Sequence, residues 1–297
     1  MKVRNFGYLA VFTAAISLGM AGSAAAYNIT IDQFYIQKNG NQYVDDTFSD
    51  NVAPPSSESV FGNGTAPVSY STIGGWSESG GRANANSING SNTTSLISGN
   101  PLTLSRARVN SNIDPNNLII GLKNDDAFEV RGLFDLSSTL DEPGSYGIRI
   151  GDSLGLSNLG NDRSQLSVRR TTTGNFNVSF ADIDLTAGTI TNLDADTLQS
   201  GHDQILLVLT RATPSSGITA SYAYVDGGSI DIGDSGALAG LTFETLNGVS
   251  TAFDGEAFTR TEFFASENPV QVNAPGMLAI FGLALAGLGV TRQRKWN

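Results

Sequence analysis

The 297-residue sequence predicts an all-β body, an antiparallel β-sandwich of jelly-roll type, between an N-terminal signal peptide and a single C-terminal transmembrane helix. Three observations carry this. Runs rich in β-branched and aromatic residues recur between turn clusters throughout residues 27–270. No convincing amphipathic helix interrupts them. Each end of the chain is an apolar, charge-free stretch with basic residues on one flank.

Met1-Lys2-Val3-Arg4 is a short basic region, and residues 6–20 are apolar overall and uncharged. Residues 21–26 are small and end in an Ala-x-Ala pattern. Together they form a secretory signal peptide over residues 1–26, with Ala24 and Ala26 at the cleavage site. The alternative is an uncleaved anchor, which the short apolar core and the small-residue run oppose.

In the body, residues 29–36 alternate partly and read as the first strand. Residues 45–100 are polar, with Pro54-Pro55, Gly74-Gly75 and Gly80-Gly81, and read as long loops with short strands. Residues 105–109 and 118–122 resume the strand signal. Residues 127–136 form a strand whose alternation breaks at Gly132, which suggests a bulge there. Residues 145–150 follow a turn at 141–144. Residues 165–170 and 175–180 pair as a hairpin over Thr171-Thr172-Thr173-Gly174, each with one dry and one wet face. Residues 204–210 are continuously apolar, hence a central buried strand, paired with residues 218–225. Residues 256–265 read as a closing strand. The core should contain Leu206, Val208, Phe176, Val178, Phe128 and Val130. The order of elements resembles concanavalin A-like lectin and laminin-G-like sandwich domains. The resemblance is carried by the successive strands 203–210 and 218–226 and the late Phe253-Asp254-Gly255-Glu256-Ala257-Phe258.

The tail occupies residues 272–297. Val272-Asn273-Ala274-Pro275-Gly276 precedes a stretch, residues 276–290, with no charged or polar side chain. A surface helix would show a polar face at helical period, so this one belongs in lipid or in a large core. Residues 274–291 rise about 27 Å as a helix, short but workable for a bilayer span. Arg292, Arg294 and Lys295 form a basic stop that belongs on the cytoplasmic side, which puts everything before Pro275 outside. This combination resembles the sorting signal of PEP-CTERM proteins, which Gram-negative bacteria process with a membrane protease, exosortase. The Glu of the usual Pro-Glu-Pro motif is missing, and Asn273-Ala274-Pro275-Gly276 looks like the Asn-Ala-Pro-Gly variant. The resemblance implies a partner protease, transient anchoring in the inner membrane, and a final place on the cell surface or in the extracellular biofilm matrix.

The two ends carry five of the 17 basic residues and none of the 28 acidic ones, leaving the body at 12 basic against 28 acidic, a net −16. Such a body should repel nucleic acid, since phosphate contacts need Lys and Arg. The sequence has no Cys and a single His, which excludes disulfides, thiolate sites and multi-His metal sites.

Three stretches invite chemistry. Asp182-Ile183-Asp184 places two carboxylates on one strand face, as glycosidases require, but a solvated face has the same pattern. His202-Asp203 with Ser200 suggests a triad, without the Gly-x-Ser-x-Gly elbow. Asp226, Asp231 and Asp234 share one loop with four Gly, which suits calcium or plain turns; Asp45-Asp46 with Asp50 and Asn124-Asp125-Asp126 are similar. No cofactor is expected beyond calcium at these loops. Trp76 and the tyrosines could stack on sugars or fill the core. The leading reading is an exported, non-catalytic surface or matrix protein. A lectin-type module that binds extracellular polysaccharide, and a sandwich-fold glycosidase, are the alternatives.

Overall fold

The computed structural model describes residues 27–49, 70–86, 88–94, 101–109, 122, 125–141, 143–152, 162–184, 187–214, 216–228, 230–250 and 259–267. Among these, strands make two antiparallel sheets. The first sheet is built on β1 (Tyr27–Lys38), which pairs with β2 (Asn41–Asp46), β5 (Ala83–Asn86), β8 (Phe128–Asp135) and β9 (Thr139–Leu140). Beyond β8 come β14 (Gln204–Arg211), β15 (Ile218–Val225) and β16 (Glu244–Ser250), and beyond β5 comes β4 (Trp76–Glu78). The second sheet runs β13 (Thr189–Thr197), β12 (Phe176–Asp184), β11 (Asp162–Arg170), β10 (Gly144–Asp152), β17 (Thr259–Glu267), β7 (Pro101–Val109) and β3 (Tyr70–Ile73), with β6 (Ser91–Thr94) also on β7. The one described helix, α1, is the four-residue Ser235–Leu238.

The sheets face each other across one apolar core, a sandwich-like arrangement. Ile29, Ile31, Phe34, Ile205 and Leu207 enter it from the first sheet, and Ile148, Leu166, Val178, Phe180 and Phe263 from the second. Phe263 is a hub: the rings of Phe34, Phe48, Tyr70 and Trp76 meet it edge-on at 5.1, 5.6, 5.6 and 4.8 Å. Edge-on contact sets the positive ring edge against the negative ring face, which adds to the burial of area.

The predicted strands at 29–36, 105–109, 127–136, 145–150, 204–210 and 218–225 are all present. So is the 165–180 hairpin, closed by Gly174 N–H donating to the Thr171 carbonyl at 2.9 Å. The apolar run of β14 is explained by two apolar environments. Ile205, Leu207 and Leu209 face the main core. Leu206 and Val208 face a second cluster with Tyr35, Leu133, Val225 and Ile232 on the outer side of the sheet. The residues after β15 fold back as a flap over that side. Gln33 pins the flap, accepting from Ile232 N–H at 2.9 Å and donating to Asp231 Oδ1 at 2.9 Å.

Four details differ from expectation. The bulge lies in β1, where Asp32 is the extra residue between Ile31 and Gln33, not at Gly132. It shifts the inward face of β1 from Ile29 and Ile31 to Phe34 and Ile36, which is why residues 29–36 alternate only partly. Gly132 is small because space demands it: a Cβ there would sit 2.8 Å from Ile148 Cγ2 and 2.8 Å from Phe134 Cε2. Gly132→Ala is therefore expected to lose about 1–3 kcal/mol by overpacking, read from the urea midpoint. An unchanged midpoint would show that the sheets have room there. Phe176, expected in the core, is half-buried at the hairpin mouth, whereas the other five expected core residues are buried. The 256–265 strand does not close an edge; β17 lies in the middle of its sheet, between β10 and β7. Within 45–100, short strands β3 to β6 are present as expected, but β2 reaches back to Asn41. It is joined to β1 by an Asn39-Gly40 turn with both φ positive, at 50° and 78°, the pairing that type I′ hairpins require. Residues 118–121 lie outside the described residues.

Candidate functional site

The β14–β15 hairpin decides where the single His sits. Gln204 pairs with Val225, so the residues just outside this register, Asp203 and Asp226, come side by side. Asp226 Oδ1 accepts from Asp203 N–H at 3.0 Å, and Asp203 Oδ2 accepts from Gly227 N–H at 3.0 Å. His202, one residue further out, lies with Nδ1 2.9 Å from Asp226 Oδ2 and stacks on Tyr224 at 4.2 Å between ring centroids. The His202 hydrogen bond, with help from Asp203 N–H, holds the exposed Asp226 carboxyl below the usual carboxylate range. Burial raises the Tyr224 phenol, which accepts from Gln199 N–H at 2.8 Å.

Two hollows meet at this point, sharing Leu136 and His202. The larger, about 640 Å³, lies between the β11–β12 hairpin tip and the segment from β13 to β14, and is lined by Asn175, Phe176, Asn177, Gln199 and Ser200 among others. The smaller, about 490 Å³, is lined by Arg82, Asp135, Ser137, Asp203 and Gln204. Arg82 bridges two carboxylates there, with Nε 2.9 Å from Asp32 Oδ1 and Nη1 3.0 Å from Asp135 Oδ2. Gln204 Nε2 also donates to Asp32. Burial pushes the Asp32 carboxyl up, against the pull of Arg82. Amides, hydroxyls and a half-buried Phe ring in an open hollow match the needs of a sugar, whose hydroxyls want hydrogen bonds and whose C–H face wants an apolar plate.

The triad expectation fails on geometry. His202 takes Asp226 as its partner, and among the described residues no hydrogen bond joins Ser200 to it. The three candidate calcium ligands are likewise divided among separate duties. Asp226 holds His202, Asp231 accepts from Gln33 and from Gly233 N–H at 2.9 Å, and Asp234 caps α1 through Gly236 N–H at 2.8 Å. Among the described residues no three carboxylate or His side chains gather as a metal site. The loop is Asp- and Gly-rich because Asp side chains close its turns and Gly227 turns the chain at a φ of 78°. The other acidic stretches are also committed: Asp45 accepts from Gln33 Nε2 at 2.6 Å, Asp46 from Phe48 N–H at 2.9 Å, and Asp126 pairs with Lys38 at 2.8 Å. Asp50 and Asn124 lie outside the described residues.

Asp182 and Asp184 do share a face, but not a solvated one. Register places them opposite Ser164 and Asp162, on the same side of β12 as the buried Phe180, and both are half-buried. Trp76 is a core residue on Phe263. The His202–Asp226 pair escaped the sequence reading, although the predicted 204–210 and 218–225 hairpin places residues 203 and 226 together.

The sorting residues Val272, Asn273, Ala274, Pro275, Gly276, Arg292, Arg294 and Lys295, and Ala24 and Ala26 of the signal, lie outside the described residues. Among the described residues no helix is long and apolar enough to cross a membrane. No family model, curated protein or solved structure matches this chain.

Proposed function

We propose that this chain is an exported, non-catalytic protein of the cell surface or extracellular matrix of a Gram-negative bacterium. It is delivered by the signal peptide at residues 1–26 and sorted by an exosortase-type protease through residues 272–297. One observation carries the reading: the same chain ends in an apolar span with a Pro275 hinge before it and Arg292, Arg294 and Lys295 after it, and begins with a basic, apolar and small-residue leader. The two ends point independently to export. The body, in this reading, is a jelly-roll of concanavalin A-like type. Two antiparallel sheets around one core support that, as does a chain that crosses between them repeatedly before β17 returns to the middle of the second. A reporter enzyme that folds only outside the cytoplasm, fused after residue 270, should be active in cells. An inactive, stable fusion would contradict export.

The His202 hollows favour carbohydrate binding as a second reading, because Asn175, Asn177, Gln199 and Ser200 present neutral hydrogen-bonding groups beside Phe176. Binding on a glycan array that is lost in Asn177→Ala would support it. An array without signal would remove it.

A further inference from the structure

The two hollows that meet at His202 lie at the same end of the sandwich, one on each sheet. The larger is walled by the tip of the β11–β12 hairpin and by the residues that follow β13, both of the second sheet. The smaller is walled by the first sheet: Arg82 just before β5, Asp135 at the end of β8, Gln204 at the start of β14 and Gly228 beyond β15. The chain between β13 and β14 passes from one sheet to the other. On the second sheet Leu198 N–H donates to the Phe176 carbonyl at 3.0 Å, and on the first Leu136 N–H donates to the Asp203 carbonyl at 2.9 Å. His202 and Leu136 stand on the border common to both hollows.

This arrangement sets a length. Facing sheets pack about 10 Å apart, more than the width of one pyranose ring. A sugar ligand that touches both hollows therefore has at least two linked residues. At about 640 and 490 Å³, each hollow has room for a ring.

The polar groups along this path are open to a ligand. Asn175, Gln199 and Ser200 are exposed on the second-sheet side, and Ser137 and Asp203 on the first. Among the described residues no hydrogen bond occupies the side chains of Asn175, Gln199, Ser200 or Ser137. Asp203 spends Oδ2 on Gly227 N–H and keeps Oδ1, and His202 spends Nδ1 on Asp226 and keeps Nε2. A sugar hydroxyl both donates and accepts, so it can meet an amide, a hydroxyl, a carboxylate oxygen or an imidazole nitrogen. The half-buried Phe176 ring supplies the apolar plate at the second-sheet end.

We propose that the two hollows form one groove that binds a linear oligosaccharide along its length. One residue lies against Phe176, Asn175 and Asn177, the linkage passes His202, and the next residue meets Ser137 and Asp203. This groove rests on the carbohydrate reading of the hollows and gives that reading a minimum chain length.

The probe is a glycan array on which linear glycans of many linkages are each printed from the single sugar to the hexasaccharide, followed by titration calorimetry of the full-length protein with the series that binds. The tetrasaccharide should bind roughly tenfold or more tighter than the single sugar, because the second residue gains hydrogen bonds of its own. Ser137→Leu, which puts bulk into the first-sheet hollow, should bring that ratio close to one. Asp203→Asn keeps the size of the side chain and removes only its charge, and should lower the ratio severalfold. Equal affinity for the single sugar and the tetrasaccharide, or an unchanged ratio in both variants, would overturn the groove and leave a single-sugar site in the larger hollow. An array without signal at any length would overturn the groove and the carbohydrate reading together.

Discussion

Glu262→Ala is expected to destabilise the body by about 3–5 kcal/mol, the cost of leaving buried charges uncompensated. Glu262 is almost fully buried in a central strand, and its carboxylate is the shared partner of Arg108, Arg149 and Arg163. Truncation would take from those cations the one carboxylate that pairs with all three among the described residues. The pH dependence has a definite sign. Burial alone would raise the Glu262 carboxyl, but Arg149, Arg163, Arg108 and Arg106 overcome it and hold the pKa well below the usual range. A depressed folded pKa gives stability that is fully present above the unfolded value of about 4.3 and fades only as pH falls through the folded one. The penalty of Glu262→Ala should therefore be constant from pH 5 to 7 and shrink only in strong acid. Urea midpoints across that range measure it. A loss below about 1 kcal/mol would show that the arginines do not depend on this carboxylate.

Phe263→Ala should cost about 3–5 kcal/mol as well, by a different route. Its side chain points to the opposite side of β17 from Glu262, into the core, where four aromatic rings from separate strands and loops converge on it. Those rings come from β1, β3, β4 and the chain just after β2, so they cannot all move in to fill the space. Phe263→Leu keeps most of the volume and should cost roughly half as much or less. Equal losses for Ala and Leu would point to ring geometry, not the cavity, as the source.

Local patterns were legible and long-range ones were not. Alternation in residues 165–180 revealed a hairpin because its innermost partners, Arg170 and Phe176, are only six positions apart across a turn. The Asn39-Gly40 turn went unread, although an Asn-Gly dipeptide is a local hairpin signal. The position of β17 was not, since its neighbours β10 and β7 are more than a hundred residues away and alternation does not say which strand lies beside which. The Glu262 cluster was hidden for another reason. Arg149 and Arg163 occupy the polar positions of alternating strands, and a wet face and a buried ionic face have the same sequence pattern. The Asp226–Gly236 loop left two readings open, calcium or plain turns, because carboxylates that close turns and carboxylates that bind calcium look alike until their partners are known. Gln33, the residue that pins that flap, carried no signal at all: a lone Gln in an apolar strand has no partner in the sequence.

The most direct test of the proposed sorting is mass spectrometry of the C-terminal peptide from surface material, in a host that carries the exosortase. Pro275 lacks an amide hydrogen and disfavours helical backbone in the residue before it, a property that in the proposed reading suits this segment to cleavage. The mature protein is predicted to end between Val272 and Pro275, with the apolar span gone. Recovery of peptides ending in intact Trp296-Asn297 from the cell surface would contradict sorting and make the tail a permanent anchor.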